Sequence, residues 1–187
     1  MRLLLPNRPG KRKKDTDRAR QVSLACLKLC VSAVLLLTTA SAQVDQGWTK
    51  FEPEGAGFSV KVPAQPVEQP SSKKALRLFS VTSGRMILAI SYGDRSPGKT
   101  LNTQKVLEAT RDSFNKQFNA KLLTSRELTL DSWPGLEFTS ESPAANIKSR
   151  VFLVGNREYQ IVGLVFKDAE MTASVNAFLE SFAFTSK

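Results

Sequence analysis

The stretch Ile147–Phe166, IKSRVFLVGNREYQIVGLVF, decides the fold. Two mainly apolar runs, Ile147 to Val154 and Glu158 to Phe166, flank Gly155-Asn156. A Gly-Asn pair between such runs suits a two-residue turn that needs positive φ, so the stretch predicts a β-hairpin. A second hairpin is predicted upstream, with Leu76–Val81 rising, Thr82–Arg85 turning and Met86–Tyr92 returning. The returning strand is apolar almost throughout, which places it in the middle of a sheet with both faces covered.

Outward from these hairpins the same alternation recurs. Trp48–Phe51 and Phe58–Val62 read as strands, with a turn at Glu54–Gly57 between them and Pro63 stopping the second. Pro63–Lys74 is rich in Pro, Gln and Ser and reads as a loop. Leu128–Leu130 and Leu136–Thr139 read as strands around the turn residues Asp131-Ser132 and Trp133-Pro134-Gly135, and Ser142–Asn146 as a loop. Two segments have helical spacing instead. In Thr100–Phe118, with Asn102 or Thr100 as the cap, Val106, Leu107, Thr110, Phe114 and Phe118 share one face. From an Asp168 cap to about Phe182, the apolar positions are Met171, Val175, Phe178, Leu179 and Phe182. Hairpin links imply antiparallel pairing. The expected architecture is α+β: one domain with a central antiparallel β-sheet flanked by two main amphipathic helices.

Charge separates this domain from what precedes it. The chain carries a formal net charge of +10, which invites a nucleic-acid or anionic-membrane reading. Residues 1–42, however, hold nine of the 27 basic residues and only Asp15 and Asp17 among the 17 acids. The remainder is close to neutral, and nucleic acid is not expected as a partner. The same 42 residues run from a basic region, through the apolar stretch Leu24–Leu37, to Ala40-Ser41-Ala42. That is the plan of a secretory signal, with cleavage expected before Gln43 and the domain at 43–187. The apolar stretch falls short of the roughly 20 residues of a membrane span, and Lys28 interrupts it. Cys26 and Cys30 stand at its start, not after it, which argues against lipidation. An uncleaved leader acting as an anchor would leave the same domain outside, because positive charge stays inside. The expected location is periplasmic or extracellular, with membrane contact only during export or through a retained leader.

Three groups of residues carry a resemblance. The first is Trp48-x-x-Phe51 through Gly57-Phe58-Ser59-Val60-x-x-Pro63 to Pro66. The second is Trp133-Pro134-Gly135-x-Glu137-Phe138. The third is Arg150–Arg157 with Tyr159, closing with Phe178-Leu179-Glu180-Ser181-Phe182. Together they resemble the PsbP-like domains of exported bacterial proteins, within the wider Mog1/PsbP-like fold. The resemblance implies a central antiparallel sheet flanked by helices. It implies little about activity: plant PsbP proteins are non-catalytic accessory subunits of photosystem II at the thylakoid lumen, and their ion-handling residues do not map onto positions here.

Side-chain chemistry narrows the function further. There is no histidine in the 187 residues and no cysteine after Cys30, which removes Ser-His-Asp and Cys-His catalysis and the usual zinc or copper ligand sets. Ala89-Ile90-Ser91-Tyr92-Gly93 superficially resembles a nucleophile elbow, but it runs into the polar segment Asp94-Arg95-Ser96-Pro97 instead of opening a helix. Ser91 with a lysine or carboxylate partner is the alternative, hydrolytic reading. Asp94, Asp131, Glu137, Glu141 and Asp168 offer oxygen ligands without the spacing of a calcium loop. Arg77, Arg85, Arg150 and Arg157 fall in or beside hairpins; they would either form a basic face for an anionic partner or be ordinary charged strand positions. Trp48 and Trp133 are the large aromatics most apt to mark something specific, with Trp133 expected to plug the sheet edge. Catalytic, cofactor-binding and metal residues are therefore expected to be none. The chain reads as a non-catalytic exported accessory or binding module acting on another protein or envelope component.

Overall fold

A computed structural model of the chain describes residues 47–71, 75–95, 102–167, 169 and 173–185. The expected leader and the proposed Asp168 cap lie outside the described residues. Among the described residues ten strands and two helices follow in the order β1 (Thr49–Phe51), β2 (Phe58–Val62), β3 (Val67–Gln69), β4 (Leu76–Ser83), β5 (Met86–Asp94), α1 (Thr103–Gln117), β6 (Lys121–Leu130), β7 (Trp133–Glu141), β8 (Ala145–Val154), β9 (Arg157–Phe166), α2 (Ala173–Glu180) and β10 (Ala183–Phe184).

All pairings are antiparallel. They form not one central sheet but two: a seven-stranded sheet of order β3-β4-β5-β9-β8-β7-β6 and a three-stranded sheet of order β1-β2-β10. The second sheet gains its third strand because the chain turns back after α2. Ala183 and Phe184 pair with Ser59 and Phe58, where the sequence pattern carried the last helix on to Phe182. Likewise Val67–Gln69, expected as loop, pairs with Leu78–Ser80 as a short edge strand.

Three hairpins close through two-residue turns, at Gly84-Arg85, Asp131-Ser132 and Gly155-Asn156. Gly84 (φ 57°) and Gly155 (φ 59°) have positive φ at the first central position only, as a II′ turn requires. Asp131 (φ 48°) and Ser132 (φ 69°) are both left-handed, as in a I′ turn. That turn is only two residues long, so Trp133-Pro134-Gly135 belongs to β7 and is not a turn. Pro134 is tolerated because it pairs only with Thr129 of β6; pairing with β8 begins at Gly135. β6 is also much longer than the Leu128–Leu130 core read from its alternation. Its first seven residues are solvent-exposed and carry no apolar period.

The main core fills the space between the large sheet on one side and the small sheet with α2 on the other. Phe51, Phe58, Phe79, Tyr92, Phe152, Tyr159 and Phe182 are all buried there. Phe58 is its hub, in edge contact with Phe51, Tyr92 and Tyr159 and stacked on Phe182 at 5.5 Å. Such pairs contribute about 0.5–1.5 kcal/mol each beyond the area they bury. α2 sits on the sheet through Val175, Phe178 and Leu179. Its C-terminal carbonyl at Leu179 accepts from Arg150 Nη1 at 2.9 Å, a cation at the negative end of a helix.

The opposite face of the large sheet carries α1. Asn102 caps it, its side-chain oxygen accepting from the Lys105 N–H at 3.1 Å. Leu107 packs with Leu136 and Val151, and the Phe114 ring meets Phe138 at 5.9 Å. α1 thus lies over β7 and β8. Phe118, expected on its buried face, is the C-cap and is 40% exposed.

Candidate functional site

Because α1 rests on β7 and β8, the rest of that sheet face is left short of cover. β5 alternates strictly: Met86, Leu88, Ile90 and Tyr92 are buried in the core, whereas Ile87, Ala89, Ser91 and Gly93 on the other face are only half-buried. Both faces of β5 were expected to be covered; one is only partly covered. In register with these positions lie Leu78 on β4 and Gln160, Val162 and Leu164 on β9, all half-buried.

A groove runs between this floor and the side of α1. One stretch, of about 270 Å³, is apolar, with Leu78, Ile87, Ala89, Val162 and Leu164 below and Phe114 and Phe118 at its wall. The next stretch, of about 300 Å³, is mixed: Leu76, Ala109 and Phe114 line it together with Ser91, Gln160 and Glu158 of the sheet, Ser113 and Gln117 of α1, and Arg95. Arg95 Nη1 meets Glu158 Oε2 at 2.5 Å, and the Arg95 N–H donates to the Asn156 carbonyl at 2.8 Å. The mixed end is therefore balanced in charge. It offers hydroxyl and amide groups, which orient a ligand by hydrogen bonding rather than by net charge.

Ser91 does face this groove, but it lies within β5, paired with Leu78 and Gln160, and the strand continues to Asp94. A nucleophile elbow needs a strand-to-helix turn, whereas Ser91 leads into three more residues of strand. The described residues lining the groove include no lysine, and the nearby carboxylate, Glu158, is engaged by Arg95.

The other described residues singled out by sequence meet only in separate pairs, Arg157 with Asp94 and Arg150 with Glu137. Arg157 forks onto Asp94 at 2.6 and 2.9 Å and also donates to the Gly55 carbonyl. Arg77 forks onto Glu68 at 2.8 and 2.7 Å. Arg85 lies over the Phe166 ring. Glu141 pairs with Lys167, and Asp131 sits in its turn. Among the described residues no three metal-ligating side chains cluster. These arginines fasten the fold instead of forming one basic face.

Glu137 is the most constrained of the charged groups. It is 6% exposed on β7. Its Oε1 accepts from Arg126 Nε and Nη2 at 2.9 and 2.7 Å, and its Oε2 from Arg150 Nε at 2.7 Å. Burial, the largest single influence, pushes its carboxyl up. The hydrogen bonds from Arg150 and Arg126 outweigh it, and the net position is below the ordinary carboxylate range. Through Arg150 this carboxylate also steadies the end of α2.

Trp48 is half-buried against the main core. Trp133 is 40% exposed at the start of β7 and does not plug the sheet edge as expected, because the I′ turn sets it at the hairpin tip.

The groove itself has one trace in the sequence. That trace is the unbroken apolar run Met86–Ile90, which requires something to lie on both faces of β5.

No family model and no curated protein matches the chain by sequence. Solved structures match it by fold. The solution structure of cyanobacterial PsbP (CyanoP) from Synechocystis sp. PCC 6803 aligns over 73% of this chain and 92% of its own length, with a TM-score of 0.56 and 11% identity. A Pseudomonas aeruginosa protein of unknown function aligns over 65% of this chain and 84% of its own, with a TM-score of 0.41 and 7% identity. At 11% identity the likeness to the cyanobacterial protein is one of fold, and the resemblance drawn from Trp48–Pro66, Trp133–Phe138 and Arg150–Phe182 agrees with it: the chain has the PsbP-like fold.

Proposed function

We propose that this protein is an exported, non-catalytic accessory module of the cell envelope, and that the groove beside α1 is where it holds its partner. The observation that carries this reading is the apolar floor of β4, β5 and β9, left half-covered and leading into a patch of hydroxyl and amide groups. Such a surface binds shape and apolar area and sets orientation by a few hydrogen bonds. Ser91 stands in a continuous strand, so the geometry favours binding over turnover. Export rests on the signal plan of residues 1–42. Among the described residues no helix is long and apolar enough to cross a membrane.

The test is a photo-reactive residue placed at Ala89, in the native cell, with a second placed at Glu127 on the far strand as control. The reading expects one discrete adduct from Ala89 and none from Glu127. Equal labelling from both sites, or none from Ala89, refutes the groove as the binding surface. Mass spectrometry of the envelope fraction tests export separately: a chain beginning at Gln43 supports a cleaved leader, and the full chain confined to cytosol overturns export.

A further inference from the structure

One end of the large sheet has a different character from the groove. The register places there the β4–β5 turn, the end of β9, the β7–β8 turn and the start of β6. Lys121 pairs with Glu141, Glu141 with Asn146, Asn146 with Val165, and Val165 with Met86. The Phe166 N–H donates to the Arg85 carbonyl and the Lys167 N–H to the Ala144 carbonyl, which brings those two cations to the same end. α1 finishes here too. The Ala120 N–H bonds back to the Asn115 carbonyl at 2.8 Å, Asn119 takes a left-handed φ of 48°, and β6 begins directly after.

This tight connection leaves three large apolar side chains partly exposed. Phe118 is 40% exposed, Leu122 37% and Leu123 52%. The pairing of β6 with β7 slips between Leu122 and Thr124, a bulge that re-aims Leu123 out of the regular pleat. Phe118 keeps one side of its ring on Phe114 at 4.6 Å, whereas Leu122 and Leu123 belong to neither core cluster. Beside them stand Lys116 and Lys121, both exposed, while Lys167 is paired with Glu141.

We propose that this end docks on an anionic lipid bilayer, with Phe118, Leu122 and Leu123 entering the headgroup–acyl boundary and the cations facing the headgroups. Exposed apolar groups beside two exposed lysines match such a surface on both counts. A second copy of the chain is a poorer occupant, because a self-complementary interface would set these cations against one another. The apolar stretch of the groove ends at Phe118, so a docked domain would present that opening to the bilayer.

The test uses the full chain carrying Leu123→Trp, with vesicles of phosphatidylcholine alone or with a fraction of phosphatidylglycerol, each also prepared with lipids brominated high on the acyl chains. The parent, with Trp48 and Trp133 only, supplies the background. Because the probe reports from the tip, a leader held in the same membrane does not produce its signal. The expected result is bromolipid quenching of the new tryptophan in anionic vesicles. Lys116→Gln with Lys121→Gln weakens it by about fivefold per lysine. Phe118→Trp, at the other exposed apolar position, repeats the measurement. No quenching at either probe, equal quenching in neutral and anionic vesicles, or a blue shift that follows protein concentration without lipid would each overturn the proposal.

Discussion

Replacing Gly163 by alanine tests how α2 is seated. Gly163 lies on the core face of β9, in register between Leu88 of β5 and Lys148 of β8. A Cβ there would stand 2.3 Å from Val175 Cγ1 and 3.1 Å from Cγ2. The helix cannot retreat cheaply. Val175, Phe178 and Leu179 are essentially fully buried, and Arg150 holds the Leu179 carbonyl. Overpacking of this kind costs about 1–3 kcal/mol. With a urea slope near 2 kcal/mol per molar, the midpoint should fall by about 1 M at unchanged slope. Val175→Ala alone should cost about 2 kcal/mol through lost burial and a residual cavity. In the double variant both clashing methyls are gone and the new Cβ takes up part of the vacated space. The pair should therefore cost no more than Val175→Ala by itself, a favourable coupling of about 1–3 kcal/mol. If the two single effects add within about 0.5 kcal/mol, the contact is not what positions α2 and the reasoning is wrong.

Three further outcomes are expected from other parts of the fold. Glu137→Gln removes the partner of a mostly buried Arg150, so it should cost about 3 kcal/mol at neutral pH by urea unfolding; because the folded carboxyl sits below the ordinary value of 4.5, its contribution is complete above that pH and is lost as pH falls further, and the variant should show a shallower acid limb. Trp133→Ala should cost about 1 kcal/mol or less in the same assay, since the ring is not an edge plug; a loss of about 3–5 kcal/mol would show that it is. Asp131→Asn with Ser132→Gly puts the preferred I′ pair on two residues already in left-handed conformation and should raise stability by about 1 kcal/mol, read as a higher midpoint.

The features legible in the sequence are local ones. The pattern in Phe58–Val62 and the hairpins around Gly84 and Gly155 correspond to observed strands, because period-two burial and turn glycines are written in adjacent residues. The Asn102 cap is of the same kind. β6 escapes because an exposed edge strand needs no apolar period, and Arg126 and Glu127 serve it as well as valine would. β10 escapes because two residues, Ala183 and Phe184, carry no pattern at all. Their strand exists only through Ser59 and Phe58, well over a hundred positions earlier. The ionic seat at Glu137 is equally invisible. Arg126, Glu137 and Arg150 meet through strand register, and in the linear sequence each stands as a separate charge.

The groove arises from a simple mismatch of widths. Seven strands at about 4.8 Å spacing make a sheet roughly 29 Å across, whereas a helix with its side chains covers about 10 Å. Two or three helices would be needed to roof one face. The core face is closed by a second sheet and α2; the other face has α1. Among the described residues α1 alone lies on that face, held over β7 and β8 by Leu107 against Leu136 and Val151 and by Phe114 against Phe138. β4, β5 and β9 nevertheless carry Leu78, Ile87, Ala89, Val162 and Leu164 on that face, not the polar residues that a water-facing strand would bear. An apolar strand face beyond the reach of the helix described on that side calls for an occupant, and that requirement is already present in the run Met86–Ile90 once the described helices are counted against the strands.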